Sequence, residues 1–293
     1  MELKEIENKI KELIRVVREH NHNYYVLSKS EISDLEYDNL LKELQGLELE
    51  YPEFADPNSP TKRVGGEVAK EFDTVIHKYP MLSLDNTYSK EEIREFDIRI
   101  RKILQNESPG LLESLTYVCE LKYDGVAIGL IYKNGKLLKA VTRGDGVQGD
   151  DVTVNVRTIK TIPLVLKENG HPSEFEIRGE VFLSQSSFKK INQDRIDAGD
   201  SPFANPRNSA AGTLKMLDSR IVAGRNLDCY LYGMYGDSLP HGSHYSNMRA
   251  AKKWGFKVPD FIVKSKSLEG VFDFIDLWEK ERNNIDVGID GIV

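Results

Sequence analysis

Glu120, Lys122 and Asp124 are crowded into one hexapeptide, Glu120-Leu121-Lys122-Tyr123-Asp124-Gly125. Two apolar runs, Leu115 to Leu121 and Val126 to Tyr132, flank it and read as a buried strand pair. Lysine and acidic residues are rarely buried without partners. One reading makes the three side chains a surface ladder along a strand, which is common. The other makes Lys122 a nucleophile tuned by its neighbours. An ordinary lysine titrates near a pKa of about 10.4, so it must lose a proton before it attacks. Partial burial and a nearby cation ease that loss, and Arg143, at the end of the next hairpin, is placed to supply the cation. A carboxylate such as Glu120 opposes it, so the acidic groups need another task, holding a ligand or a metal. Glu180, on a separate strand, is a second candidate of that kind. Magnesium commonly takes one or two carboxylates plus substrate phosphates. A lysine, an arginine and carboxylates at strand ends suit attack on a phosphoryl centre, where positioning and electrostatics do most of the work.

A second group of chemistry-bearing residues lies near the N-terminus. Ser33-x-x-Glu36 is a capping-box pattern that starts a helix. Asp34 and Asp38 then lie four residues apart with Tyr37 beside them, and Tyr24-Tyr25 ends the preceding helix. An acidic first turn suits the helix dipole without any function. Aromatic faces beside carboxylates also suit a flat cationic ring.

The elements that must position these groups are legible from periodicity. Ile6, Ile10, Leu13, Ile14 and Val17 follow helical spacing, and Leu40, Leu41, Leu44 and Leu47 supply the stripe of the second helix. Residues 1–66 therefore form a small helical hairpin domain with a turn-rich linker, Asn58 to Gly66, that permits rigid-body movement. Residues 67–293 form a second domain. Ser89-x-x-Glu92 opens another helix running to Leu104. Val126–Tyr132 and Leu137–Thr142 flank Asn134-Gly135, the strongest short hairpin signal. Phe175–Phe182 and the aromatic Leu227–Tyr235 read as strands. Arg143–Asp151 and Gly199–Gly212 read as loops, the first with neither the Walker nor the Rossmann pattern. Asn247–Trp254 and Leu268–Arg282 read as helices, and Ile285–Val293 begins a last strand. Strands and helices do not alternate, which predicts an α+β fold with mainly antiparallel sheets.

The chain has 293 residues, 40% hydrophobic and 30% charged, so it can build a core. No apolar run reaches the roughly 18 residues of a membrane span, and the N-terminus has no signal-peptide pattern. The lone cysteines Cys119 and Cys229 sit in apolar runs without metal-ligand spacing, which fits a reducing cytoplasm. A formal net charge of −7 argues against the chain gripping nucleic acid by bulk charge. The sequence stops inside the apolar Ile289–Val293 pattern, which suggests a piece of a longer protein. His241 and His244 lie in a Gly/Ser/Pro stretch with no evident carboxylate partner, so metal binding is not expected there. Trp254 and Trp278 read as packing residues, and Lys252-Lys253 as a solvated face.

Lys122-Tyr123-Asp124-Gly125 resembles the Lys-x-Asp-Gly motif of covalent nucleotidyltransferases: DNA ligases, RNA ligases and mRNA-capping enzymes. Arg143-Gly144-Asp145-Gly146, Arg178-Gly179-Glu180-Val181-Phe182, Asn205-Pro206-Arg207-Asn208-Ser209-Ala210-Ala211-Gly212 and Asp290-Gly291-Ile292-Val293 follow in order. With Tyr24-Tyr25-Val26 and Asp34-Leu35-Glu36-Tyr37-Asp38, the combination resembles the bacterial NAD-dependent DNA ligases over essentially the whole chain.

The resemblance implies that Lys122 attacks the α-phosphate of NAD, giving lysine–AMP and releasing nicotinamide mononucleotide (NMN). AMP then passes to the 5′-phosphate of nicked double-stranded DNA, and the 3′-hydroxyl displaces it, in replication and repair. Glu120 and Arg143 match positions that contact adenosine. Glu180 matches an acid that holds ribose or assists a Mg²⁺ or Mn²⁺ ion. Tyr232 matches a ring stacked on adenine, and Ser83 and Leu84 a segment lining the NAD pocket. Tyr24, Tyr25, Asp34, Leu35, Glu36, Tyr37 and Asp38 match the NMN site, with tyrosine at position 25 where some relatives have histidine. Arg207 and Lys215 match a region used on the DNA backbone, with Arg220 and Arg225 as weaker candidates. Relatives carry a lysine shortly after the Asp-Gly-Ile-Val block, and zinc-binding and other modules beyond it. Their absence here implies a fragment that seals nicks poorly, and the resemblance itself implies a cytoplasmic monomer. Two alternatives stay open: a transferase using ATP or GTP, and a non-enzymatic NAD- or nucleic-acid-binding module.

Overall fold

A computed structural model describes residues 3–27, 29, 31–63, 71–167 and 169–293, without the side chain of Asp34. In chain order the helical hairpin is α1 (Leu3–Tyr25) and α2 (Asp34–Glu50). Then come β1 (Thr74–Ile76), α3 (Lys90–Glu107), β2 (Tyr117–Cys119), β3 (Leu121–Tyr123), β4 (Val126–Lys133), β5 (Lys136–Thr142) and β6 (Gln148–Asp150). The second half holds α4 (Thr153–Val156), β7 (Glu174–Phe182), α5 (Gln185–Asp197), α6 (Pro206–Leu214), α7 (Ser219–Gly224) and β8 (Asp228–Tyr235). It ends with α8 (His244–Lys253), β9 (Val263–Ser265), α9 (Leu268–Glu281) and β10 (Ile289–Ile292). The architecture is α+β, with every named strand pairing antiparallel.

The hairpin closes on its own apolar stripe. Ile6, Ile10, Leu13, Ile14 and Val17 of α1 bury against Leu44 of α2, with Leu40, Leu41 and Leu47 packed around them. Ser33 caps α2 through a reciprocal bond with Glu36, and Ser89 caps α3 in the same way with Glu92. The central sheet runs β5-β4-β7-β8. Asn134 and Gly135, at φ 49° and 72°, turn β4 into β5 in the left-handed region that Asn-Gly favours. The main core, including Ile128, Leu130, Tyr132, Ile177 and Leu231, fills the space between this sheet and the helices.

Two readings of the sequence need correction. Leu115–Tyr132 is not a strand pair: β3 pairs with β10, whereas β4 pairs with β5 and β7. The chain changes sheets at Asp124-Gly125. A side chain at Gly125 would place its Cβ 2.3 Å from the Val181 carbonyl oxygen, so only glycine fits this corner. Gly199–Gly212 is also not all loop. Asn205 accepts from the Asn208 amide and Pro206 follows it, which starts α6. Helix α5, capped by Ser184, was not expected from the sequence, because few of its residues form an apolar stripe and none is buried. Of the linker, residues 64–66 lie outside the described residues. Before them, Arg63 donates to the carbonyls of Arg157, Ile159 and Ile162 at 3.1–3.2 Å. In return Arg157 donates to the Pro57 carbonyl at 2.6 Å and to Asn58 Oδ1 at 3.1 Å.

Candidate active site and nucleotide pocket

Lys122 stands on β3 between two buried neighbours, Leu121 and Tyr123, which anchor the strand in a second core with Phe182, Phe274 and Trp278. Alternation along the strand then turns Lys122 out of that core. Across from it, Gly291 pairs with Lys122 and Ile289 with Tyr123, so Asp290 is an extra residue in β10. Such a bulge sets two residues against one and re-aims a side chain. Here it brings Asp290 Oδ2 to 2.7 Å from Lys122 Nζ, while Gly291 offers no competing side chain. Arg207, in the first turn of α6, reaches the same group. Its Nη1 is 3.1 Å from Asp124 Oδ1 and 3.7 Å from Asp290 Oδ2. Lys122, Asp124, Arg207 and Asp290 thus alternate in sign around one opening.

Glu180 on β7 borders this cluster. Burial pushes its carboxyl up to about 7; Arg207 and Lys122 pull it down, and Asp124 pushes it up. Tyr232 Oη lies 3.5 Å from Glu180 Oε2. Tyr232 is itself a bulged residue, since Arg178 pairs with Gly233 and Gly179 with Leu231. Burial and the Glu180 charge hold its hydroxyl protonated well above the ordinary tyrosine range. Two site side chains therefore owe their aim to bulges.

Arg143 follows β5 and spends its side-chain hydrogen bonds on the segment around Ser83. It donates to the Met81 carbonyl at 3.3 Å and to Ser83 Oγ at 3.0 Å. The buried Arg178, paired with Glu176 at 2.6 Å, adds bonds to the carbonyls of Pro80 and Tyr79. Together the arginines pin the segment that carries Ser83 and the exposed Leu84. Glu120 joins the backbone to Val293 and turns its carboxylate to His244 Nε2, 3.2 Å from both oxygens. This corrects the sequence reading, which gave His244 no carboxylate partner. Ser243 caps α8 and fixes His244 at the helix start, a placement that requires the 124-residue separation to close.

The N-terminal candidates gather elsewhere. A cavity of about 360 Å³ is lined by Tyr24, Tyr25, Tyr37 and Asp38, with Asn21 and Lys160. Tyr24 and Tyr25 meet edge to face at 4.7 Å. Tyr37 Oη donates to Asn21 Oδ1 at 2.9 Å, and Lys160 Nζ to Tyr25 Oη at 2.7 Å. Glu36 serves the cap of α2, Leu35 is exposed, and the Asp34 side chain lies outside the described residues. Among the described residues, no hydrogen bond or ion pair joins this cavity's side chains to Lys122. Lys215, at the C-cap of α6, pairs with Asp150 at 2.7 Å, and Arg220 with Asp218 at 2.6 Å. Arg225 donates to Thr213 Oγ1 at 3.1 Å and stacks on Phe203.

Asp290 and Lys160 were not singled out as partners from sequence, and Asp124, read there as a neighbour of Lys122, pairs with Arg207. For Asp290 the available signal was an Asp-Gly pair inside an apolar strand, a pattern that suggests a bulge. No group of three or more metal-ligating side chains assembles among the described residues. Nor, among them, is any helix long and apolar enough to cross a membrane.

A lysine amine set among carboxylates and an arginine lies here on a strand beside an antiparallel sheet, an arrangement with the charges that phosphoryl chemistry uses. Residues 69–293 match the family model described as NAD-dependent DNA ligase adenylation domain. Residues 3–65 match the one described as DNA ligase-like, N-terminal NAD+-binding domain. The chain belongs to the NAD-dependent DNA ligase family. It is 52% identical over 288 residues to a DNA ligase of Parabacteroides distasonis, covering 98% of this chain and 42% of that protein. It is 53% identical over 285 residues to a DNA ligase of Phocaeicola vulgatus, covering 97% of this chain and 42% of the relative. A Bacteroides fragilis DNA ligase is 51% identical over 288 residues, with 98% and 42% covered. The chain thus spans 42% of the length of these curated relatives.

Proposed function

We propose that this chain is the adenylating part of an NAD-dependent DNA ligase, with residues 1–66 as the NMN-binding unit and 67–293 as the adenylation unit. Lys122 Nζ attacks the α-phosphorus of NAD. The N–P bond forms as the P–O bond to NMN breaks, and NMN leaves as its phosphate. The ammonium loses one proton before attack, which Asp290, 2.7 Å from the nitrogen, is placed to take, and a second leaves for solvent or the departing NMN phosphate as the N–P bond forms. Arg207 offers positive charge to the equatorial phosphate oxygens. Arg143 and Ser83 hold the wall of the nucleotide pocket, Glu120 with His244 takes the adenosine edge, and Tyr232 supplies a stacking face. Tyr24, Tyr25, Tyr37 and the acids of α2 receive the cationic nicotinamide ring. Glu180 is suited to hold a divalent ion with phosphate oxygens completing its shell, and that ion would neutralise charge on the transferring group.

The observation that supports this reading most directly is the Lys122–Asp290–Arg207–Asp124 cluster beside Glu180. The test is incubation with NAD labelled in its adenylate phosphate. A covalent label that forms from NAD, not from ATP, and disappears in Lys122→Ala is expected. Labelling of Lys122→Ala would refute it, and labelling from ATP would favour the rival donor. AMP transfer to a nick, with Arg207 and Lys215 on the DNA backbone, belongs to the longer ligase. The 293-residue chain is expected to close nicks poorly, because it covers 42% of its relatives. Rapid closure in a gel assay would overturn that. The hairpin is proposed to close over NAD and open for DNA. Ligand-bound structures that keep Tyr37 remote from Lys122 in every state would exclude it.

A further inference from the structure

A second cavity, about 420 Å³, lies on another side of α1 between the hairpin and the adenylation domain. Its wall is strongly cationic: Lys11, Arg15, Arg18, Arg63, Lys160 and Lys167, against the single carboxylate of Glu19. Three of these charges are answered locally. Lys11 pairs with Glu7, Arg15 with Glu12 and Glu19, and Arg18 with Asp56. Among the described residues, the other three have no carboxylate within ion-pair distance. Among those residues, Arg63 donates only to backbone carbonyls, Lys160 to a tyrosine hydroxyl, and Lys167 Nζ makes no hydrogen bond or ion pair.

Arg63 is drawn from water without a counter-charge, which is unfavourable, and Lys160 and Lys167 stay exposed beside it with charge to spare. The titration directions agree. Burial lowers Arg63 to about 10 against the upward pull of Tyr132 and Tyr37, with Arg157 and Arg18 adding repulsion, and burial also lowers Lys167, which Glu19 pulls the other way. Burial and Lys167 press His22, on the same wall, down to about 4 against the pull of its bond to the Gly255 backbone, so it stays neutral.

We propose that this interdomain cavity is a binding site for a small phosphate-bearing anion, held by Arg63, Lys160 and Lys167 and distinct from both the Lys122 cluster and the tyrosine cavity. Asn21 and Lys160 line both this cavity and the tyrosine cavity. An anion that draws Lys160 toward it takes the ammonium from Tyr25, so occupancy of one cavity changes the other. That coupling, though not the site itself, rests on reading the tyrosine cavity as the NMN pocket.

The test is calorimetric titration of the purified chain with inorganic pyrophosphate and, separately, with ribose 5-phosphate. Lys167→Met keeps the aliphatic stem that packs along Gly255 and removes the charge. It is expected to weaken the anion at least tenfold, whereas Arg207→Ala leaves the Lys167-dependent binding intact. Preference for pyrophosphate identifies an inorganic anion as the natural ligand class, and preference for the sugar phosphate a nucleotide or sugar fragment. No binding at millimolar concentration, or equal binding by Lys167→Met, overturns the proposal. Saturating pyrophosphate should also shift NMN affinity at least threefold. Pyrophosphate binding with no NMN binding at all would refute the NMN reading and leave the anion site standing, whereas NMN binding unmoved by pyrophosphate would refute the coupling.

Discussion

Glu180 offers a quantitative test of the electrostatics at the site. Burial raises its carboxyl from the ordinary 4.5 to about 7. The folded protein therefore keeps a proton that the unfolded chain releases above about 4.5. The sign follows: between about pH 4.5 and pH 7 the folded state binds more protons, so this group makes the protein less stable as pH rises. Each pH unit across that window corresponds to about 1.4 kcal/mol, which gives about 3 kcal/mol in total. Glu180→Gln resembles the protonated acid and carries no such pH dependence. Near pH 4.5 the two proteins should melt together. By pH 8 the variant should be more stable by about 3 kcal/mol, or about 6–12 °C in Tm for a domain of this size. Differential scanning calorimetry of both proteins from pH 4.5 to 8 reads the difference. A gap that does not change with pH would refute the burial argument, and a gap of the opposite sign would mean that Arg207 and Lys122 dominate. If Glu180 holds a divalent ion, millimolar Mg²⁺ should narrow the gap at pH 8 by favouring the ionised wild-type carboxylate.

Three further outcomes are expected. Asp290→Asn keeps the shape of the bulge but loses the proton acceptor 2.7 Å from Lys122, and should slow adduct formation by about 100-fold or more in an initial-rate assay; an unchanged rate removes Asp290 from the proton path. Gly125→Ala puts a Cβ 2.3 Å from the Val181 carbonyl oxygen and should lower stability by about 1–3 kcal/mol in urea unfolding; native stability would show that the corner relaxes freely. Tyr37→Phe removes the 2.9 Å bond to Asn21 and should weaken NMN binding about fivefold, with little change in Tm. An equal affinity in calorimetry would place the ring, rather than its hydroxyl, at the centre of that cavity.

Local features were legible in the chain itself. Both capping boxes, the Asn134-Gly135 turn and the stripe that closes α1 on α2 depend on residues a few positions apart, and each forms where its pattern lies. Lys122 and Glu180 stood out in the chain by residue type, and Arg207 through the resemblance as a DNA-backbone contact. What joins them was not legible. Asp290 reaches Lys122 across 168 positions, and Arg207 reaches Asp124 across 83. Tyr232 and Asp290 are aimed by bulges, and a bulge exists only relative to the partner strand. The same holds for His244, which lacked a carboxylate until α8 came against Glu120. Helix caps and turns are decided by hydrogen bonds within one segment, so sequence determines them. The partner of a buried or half-buried charge is decided by which strands share a sheet and in what register, and only the tertiary structure settles that.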